Sequence, residues 1–224
     1  MRIVMMVAIA LMSSFVAGAS SATAAQLNVV HGINGRDLGL EESLPVDIAV
    51  NGACSLKGVT FKQSALVELS PATYTITVHL SDGACSKAAV ITKSVDLTDG
   101  SNSFSAVASL SSSGSPQLSV FNNSRDLFFP PAVTVRHLAK SGALFVKFSS
   151  PELLRSQSKR IRNGDSSSLL VLTDRLKYTA TIQSSRGGGF IARKSGTGRK
   201  KFTIHNVVGS AANGFSVITE RLAP

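Results

Sequence analysis

Tyr74-Thr75-Ile76-Thr77-Val78-His79-Leu80 alternates without a break: Tyr74, Ile76, Val78 and Leu80 share one face, and Thr75, Thr77 and His79 share the other. A period of two sends successive side chains to opposite faces of a strand, so the stretch predicts a sheet with one face in a core and one toward solvent. On this reading His79 points outward. Ser81-Asp82-Gly83 follows as a turn, with a glycine free to take a positive φ. Working outward, further strands are expected at Leu27–His31, Val46–Val50, Ala65–Leu69, Val90–Leu97, Ser103–Ser109 and Gln117–Phe121. Gly, Pro, Asn and Ser punctuate these short runs at roughly eight- to twelve-residue spacing, the pattern of a β-sandwich.

The second half of the chain repeats the order of the first. Val29-Val30-His31 matches Val135-Arg136-His137, and Val46–Val50 matches Leu144–Phe148. Val67-Glu68-Leu69-Ser70 followed by Tyr74-Thr75-Ile76-Thr77 echoes Leu170-Val171-Leu172-Thr173 followed by Tyr178-Thr179-Ala180-Thr181. Phe104 and Val120 find counterparts in Phe202 and Val217. Duplication accounts for such a series better than chance.

The fold class expected is therefore all-β: two tandem immunoglobulin-like β-sandwich domains after a cleaved signal peptide. The boundaries read as 1–25 for the signal, 26–122 for the first domain, 123–131 for a linker and 132–224 for the second, basic domain. Asn122, Asn123 and Ser124 suit an exposed joint, and Pro130-Pro131 stiffens its exit. Leu127, Phe128 and Phe129 are too apolar for a free linker and are expected to pack between the domains.

The amino-terminal segment has the form of an export signal. Arg2 precedes the apolar run Ile3–Met12, and a small-residue stretch ends in Ala22-Thr23-Ala24-Ala25, a cleavage-site pattern. The apolar run is about half the roughly 20 residues that a spanning helix needs, so a retained anchor is the weaker alternative. No cysteine precedes Cys54, which excludes lipid attachment at the cut. A periplasmic or secreted location follows, with the mature chain soluble. In that oxidising setting Cys54 and Cys85, outside any CxxC or metal-type spacing, are expected to form a disulfide within the first domain.

Leu27-Asn28-Val29-Val30-His31-Gly32, Pro45-Val46-Asp47-Ile48-Ala49-Val50-Asn51-Gly52 and Leu69-Ser70-Pro71-Ala72-Thr73-Tyr74-Thr75-Ile76-Thr77-Val78 together resemble a family of secreted bacterial domains, number 4397 among the domains of unknown function. The resemblance runs from Leu27 to about Phe121 and only faintly into the second repeat. Ala72 stands where the family usually has glycine, and the second repeat lacks the Pro-Val-Asp strand. The resemblance implies an extracytoplasmic β-sandwich and brings no catalytic residues with it.

Catalytic patterns are not legible. His31, His79, His137 and His205 are scattered, without H-E-x-x-H or H-x-H spacing, so no metal site is expected. The equivalent positions of His31 and His137 suggest a structural hydrogen bond at a strand end. Serines lack a G-x-S-x-G elbow, and neither Glu41-Glu42 nor Asp165 with Asp174 reads as a converging carboxylate pair. Gly196-Thr197-Gly198-Arg199-Lys200-Lys201 runs into a strand rather than a helix, unlike a phosphate-binding P-loop. No enzyme activity and no cofactor are expected; a hydrolase is the third-ranked alternative.

The chain carries a formal net charge of +10, and the surplus is one-sided. From Gln26 to Ser124 acidic residues outnumber basic ones, whereas from Arg125 onward Lys and Arg dominate. Candidate anion-binding residues are Arg155, Lys159, Arg160 and Arg162 in one cluster, and Arg186, Arg193, Lys194, Arg199, Lys200 and Lys201 in another, both placed in loops or at strand ends. The partners that fit are anionic lipid, lipopolysaccharide or acidic polysaccharide. Nucleic acid is disfavoured, because only Phe190 interrupts these clusters with a stacking side chain. The leading expectation is a non-catalytic envelope protein. The runner-up is a periplasmic chaperone of two immunoglobulin-like domains that offers a strand edge to a protein client.

Overall fold

The computed structural model describes residues 24–98, 103–123, 131–153, 155–170, 177–197 and 202–222. The first repeat contains β1 (Ala25–His31), β2 (Val46–Val50), β3 (Ala53–Val59), β4 (Ser64–Leu69), β5 (Thr73–Leu80), β6 (Ala89–Asp96), β7 (Ser103–Leu110) and β8 (Pro116–Asn122). The second contains β9 (Pro131–His137), β10 (Leu144–Ser149), β11 (Gln157–Ile161), β12 (Ser166–Leu170), β13 (Lys177–Gln183), β14 (Phe190–Thr197), β15 (Phe202–Ser210) and β16 (Gly214–Leu222). A 3-10 turn at Gly35–Leu38 adds to the first. No helix among the described residues is long and apolar enough to cross a membrane.

Each repeat folds into two four-stranded sheets, β4-β1-β7-β8 with β3-β2-β5-β6, and β12-β9-β15-β16 with β11-β10-β13-β14. The two orders are the same once strands are renumbered. The architecture is an all-β sandwich, although its order differs from the ABED and CFG sheets of an antibody constant domain. In β5, Ile76 and Val78 are buried in the first core with Tyr74 and Leu80 packed against it, as the alternation requires. The matching stripe of β13 is Tyr178, Ala180 and Ile182, buried in the second core. The strand β3 lies between two sequence-predicted strands and was not anticipated.

His79 departs from expectation. It lies on the face opposite Ile76 and Val78 but is only 9% exposed. The segment after β5 folds back over that face, and His79 bonds to the Lys87 carbonyl at 2.6 Å and to Thr77 Oγ1 at 2.8 Å. Two ties hold the segment. Asp47 accepts from Ser81 Oγ and from the amides of Asp82, Gly83 and Gly58 at 2.7–2.9 Å. The Cys54–Cys85 disulfide links the same segment to β3, with its Cα atoms 5.6 Å apart. Closing that loop is worth about 3.7 kcal/mol on the chain-entropy account.

A third apolar cluster joins the repeats: Val30, Phe61 and Val107 from the first meet Leu138, Val208 and Ile218 from the second, with Phe121 packed against them. The sheets β4-β1-β7-β8 and β12-β9-β15-β16 thus pack face to face, giving four layers. This is why β7 is buried along nearly its whole length instead of alternating. It is also why the parallel pairs β1/β7 and β9/β15 bury residues on both faces, polar ones such as Ser105, Arg136 and Asn206 included. Leu127, Phe128 and Phe129, assigned to this seam from sequence, lie outside the described residues.

Polar groups are buried in the seam as well. Glu220 accepts from Asn28 Nδ2 at 2.6 Å, from Ser105 Oγ at 2.6 Å and from Asn206 Nδ2. Its other neighbour is Arg136, whose Nη1 is 3.7 Å away. Arg136 donates through Nη2 to Asn123 Oδ1 at 2.6 Å and sits 4.0 Å above the Phe121 ring. Burial holds the Arg136 pKa down to about 10 against the pull of Glu220, so the guanidinium remains charged at neutral pH. Asn123, expected at an exposed joint, is buried here, because its side chain bridges Ser105 and Arg136 across the two sandwiches.

Sheet pairing also corrects the alignment of the repeats. His31 and His137 are equivalent, since each ring accepts from the amide two residues on and bonds a loop carbonyl, Leu44 or Gly142, at 2.8 Å. From that anchor, Leu27 pairs with Phe104 and Val133 with Thr203, so the counterpart of Phe104 is Thr203 and not Phe202. Likewise Val120 corresponds to Thr219 rather than Val217, and Val67 to Leu169 rather than Leu170. Matching by residue type drifted by one or two residues; hydrogen-bond register fixes the true partners.

Candidate functional site

The sheet β11-β10-β13-β14 is the outer layer of the second sandwich. Its strands contain Lys147, Lys159, Arg160, Lys177, Arg193 and Lys194 and no Asp or Glu. The corresponding outer sheet of the first sandwich is balanced, with Lys57 and Lys93 against Asp47 and Asp96. Half of the basic residues described in the second repeat therefore fall on one sheet.

Register decides which cations share its outer face. Val146, Phe148, Ala180 and Ile182 point into the core, so the alternate residues Phe145, Lys147, Thr181 and Gln183 point out. Arg160 pairs with Phe145, which pairs with Gln183, which pairs with Phe190. In the next row Ser158, Lys147, Thr181 and Arg193 stand side by side. Neighbouring strands lie about 4.8 Å apart, so each row spans roughly 14 Å. An open groove of about 420 Å³ runs through it, lined by Phe145, Lys147, Ser158, Arg160, Gln183 and Arg186 among others. Three cations, two hydroxyls, an amide and an aromatic floor suit an anionic group carried on a hydroxylated or amphiphilic frame. Phe190, 64% exposed, adds an apolar side chain to the same face.

The structure sorts the sequence-predicted residues. Arg160 and Arg186 converge on the groove, and Arg193 joins them on the face. Lys194 points to the opposite side, beside Tyr178 and His205. Lys159 lies at the other edge of the sandwich with Gln157 and Ser167. Arg162 begins a turn closed by Asp165, and Arg155 precedes β11 without lining the groove. Arg199, Lys200 and Lys201 lie outside the described residues. Both clusters were expected in loops or at strand ends, and Gln157–Ile161 and Phe190–Thr197 are whole strands. They are the edges of their sheet, where a solvated outer face and charged inward positions erase the apolar alternation. Sequence reading passed over Lys147 and Lys177, which sit singly in strands and enter the patch only through pairing.

Buried histidines elsewhere have structural roles. Burial lowers the pKa of His31 and His137, against the raising effect of their carbonyl partners. The Asp47 carboxyl is held well below the usual range by its four donors, which outweigh a desolvation effect of opposite sign. Asp47, Cys54 and Cys85 come close enough together to suggest a metal cluster, but both sulfurs are consumed in the disulfide. No protein-family model matches the chain, and no curated protein sequence does either.

Proposed function

We propose that the protein is a non-catalytic extracytoplasmic β-sandwich protein that docks on anionic envelope components through the outer sheet of its second sandwich. The observation that carries this reading is the acid-free sheet, with Lys147, Arg160, Lys177 and Arg193 on one face and Arg186 at its rim. The Cys54–Cys85 disulfide supports an oxidising compartment. Exposed Phe190 beside the cations fits an interface that is charged above and apolar below, as at a lipid headgroup layer.

Each cation near an anionic surface contributes about 1 kcal/mol. Replacing Arg160 and Arg193 with glutamine should therefore weaken binding of the full chain to phosphatidylglycerol vesicles roughly 30-fold. Raising salt to about 0.5 M should abolish it, since the Debye length falls to a few ångströms. Vesicle sedimentation reads both effects, with neutral phosphatidylcholine as the control. Equal binding to neutral and anionic vesicles, or none at low salt, overturns the reading. The chaperone alternative rests on β4 and β8, because β3 and β6, the edges of the other sheet of the first sandwich, are interrupted by register shifts that spoil them for strand addition.

A further inference from the structure

The second sandwich has an open side where two edge strands, β14 and β16, face each other across a cleft of about 460 Å³. Tyr178, Lys194, Thr203, His205, Thr219 and Arg221 line it, and no carboxylate among the described residues does. Lys194 pairs with the core residue Ala180, so it lies on the inward side of its strand. Arg221 continues the inward series Phe215, Val217 and Thr219. Neither cation makes an ion pair among the described residues. The Tyr178 hydroxyl is 3.5 Å from His205 Nε2, and His205 Nδ1 is 2.9 Å from Thr219 Oγ1.

The first repeat shows what this space contains when it is only structural. By register, Thr203 replaces Phe104, His205 replaces Ala106, Thr219 replaces Val120 and Gly196 replaces Val95. In the first sandwich Val95, Phe104 and Ala106 are buried core, with Val120 packed on them. The second repeat has exchanged that packing for hydroxyls and an imidazole, and Arg221 stands where the first has Asn122. The tyrosine is common to both but turns differently. Tyr74 donates to the Ser70 carbonyl, whereas Tyr178 reaches His205 over Gly196, where a Cβ would come within 2.7 Å of its hydroxyl.

We propose that this cleft binds one compact oxyanion, a phosphate or sulfate group, held between Lys194 and Arg221 with Tyr178 and His205 as further donors. The site uses other side chains than the outer face and does not depend on the function proposed for it. Inward charges on edge strands also block unwanted strand pairing. That accounts for Lys194 and Arg221 but not for Thr203 and His205, which sit on β15 in the sheet interior. The groups facing His205 are Tyr178 from β13, Lys194 from β14 and Arg221 from β16, while β9 presents apolar Val133 and Val135. Burial, then Lys194 and Arg221, hold its pKa at about 4. A dianion between the two cations reverses their effect, so binding takes up a proton and tightens as pH falls.

The test is titration of the full chain with sodium sulfate at constant ionic strength, following the His205 imidazole by NMR, with chloride as control. A saturable shift of His205 is expected, tighter at pH 5 than at pH 7. Lys194→Gln with Arg221→Gln should weaken it at least tenfold, and Arg160→Gln with Arg193→Gln should leave it unchanged. Thr203→Phe, which restores the first repeat's side chain, should abolish it while the His31 and His137 signals stay native. Inorganic phosphate, a sulfated polysaccharide and phosphatidic acid vesicles then compete for the site, and the tightest competitor names the source of the group. A sulfate response equal to that of chloride overturns the proposal. So does a response that survives Lys194→Gln with Arg221→Gln, most plainly if that variant self-associates, which would make the cations edge protection alone.

Discussion

Replacing Glu220 with leucine should destabilise the protein about twice as much as replacing its partner Arg136 with methionine. The asymmetry comes from what each change leaves behind. Without Arg136, the Glu220 carboxylate keeps its donors Asn28, Ser105 and Asn206, so the loss is the ion pair at 3.7 Å, the bond to Asn123 and the contact with Phe121, together worth about 2 kcal/mol. Without Glu220, a guanidinium only 3% exposed retains one acceptor, Asn123, and the face of Phe121. Three donors lose their acceptor at the same time. Stranding a buried charge in this way costs about 4 kcal/mol. For a chain of this size the melting point should fall by about 8–16 °C for Glu220→Leu and about 4–8 °C for Arg136→Met. The double variant should cost less than the sum, because removing both partners leaves no unpaired charge. The chain has no tryptophan, so calorimetry and far-UV circular dichroism are the assays. Wild type should unfold in one transition, the seam coupling both sandwiches, and Glu220→Leu should broaden or split it. Equal costs for the single variants, or two transitions already in wild type, would refute the view that this pair ties the repeats together.

Acid should weaken the fold through its histidines. His31, His137 and His205 have folded pKa values below the ordinary 6.5, so the folded chain binds fewer protons than the unfolded one, and stability is complete above about pH 6.5 and falls toward pH 4. His205 alone contributes about 3 kcal/mol across that window, so His205→Ala should flatten the calorimetric pH profile. Asp47→Asn should cost about 2–3 kcal/mol in urea denaturation, since an amide cannot accept from all four donors that the carboxylate satisfies. Thr203→Phe with His205→Ala and Thr219→Val, which refills the cleft with the first repeat's residues, should raise the melting point; the gain is about 2 kcal/mol if one aromatic ring becomes buried.

The alternation from Tyr74 to Leu80 was enough to predict a half-buried strand, and the echo at Tyr178 was enough to predict a second copy. Charge order along the chain placed the basic surplus in the second half, where the structure gathers part of it on one sheet. What stayed hidden depends on contacts between segments distant in sequence. His79 obeys its period and is still covered, because a loop tied down by Asp47 and Cys85 closes over it. Arg160 and Arg193 share one face only through the pairings of Phe145 with Gln183 and of Lys147 with Thr181, which composition cannot show. Asn123 reads as a polar joint residue until the guanidinium it satisfies is seen. The repeat was legible, but its register was not, and the cleft of the second sandwich becomes visible only after Phe104 is set against Thr203.

Register also explains why the duplicated sandwiches pair with each other. Val30, Val107 and Phe121 of the first occupy the positions of Arg136, Asn206 and Glu220 in the second. Two identical copies would present the same face twice: an apolar one able to pair with itself, or a charged one unable to bury without a partner. Divergence has left an apolar trio on one sandwich and a mutually bonded polar trio on the other, with Arg136 laid over Phe121 at 4.0 Å. A buried ion pair adds little net stability over a well-packed apolar contact. Its consequence here is selectivity, since Arg136 and Glu220 find their partners Asn123, Asn28 and Ser105 only when the first repeat lies opposite. Pairing of two second repeats would bury both charges without those partners, so the seam favours the intramolecular arrangement and leaves the basic outer sheet as the face turned away from it.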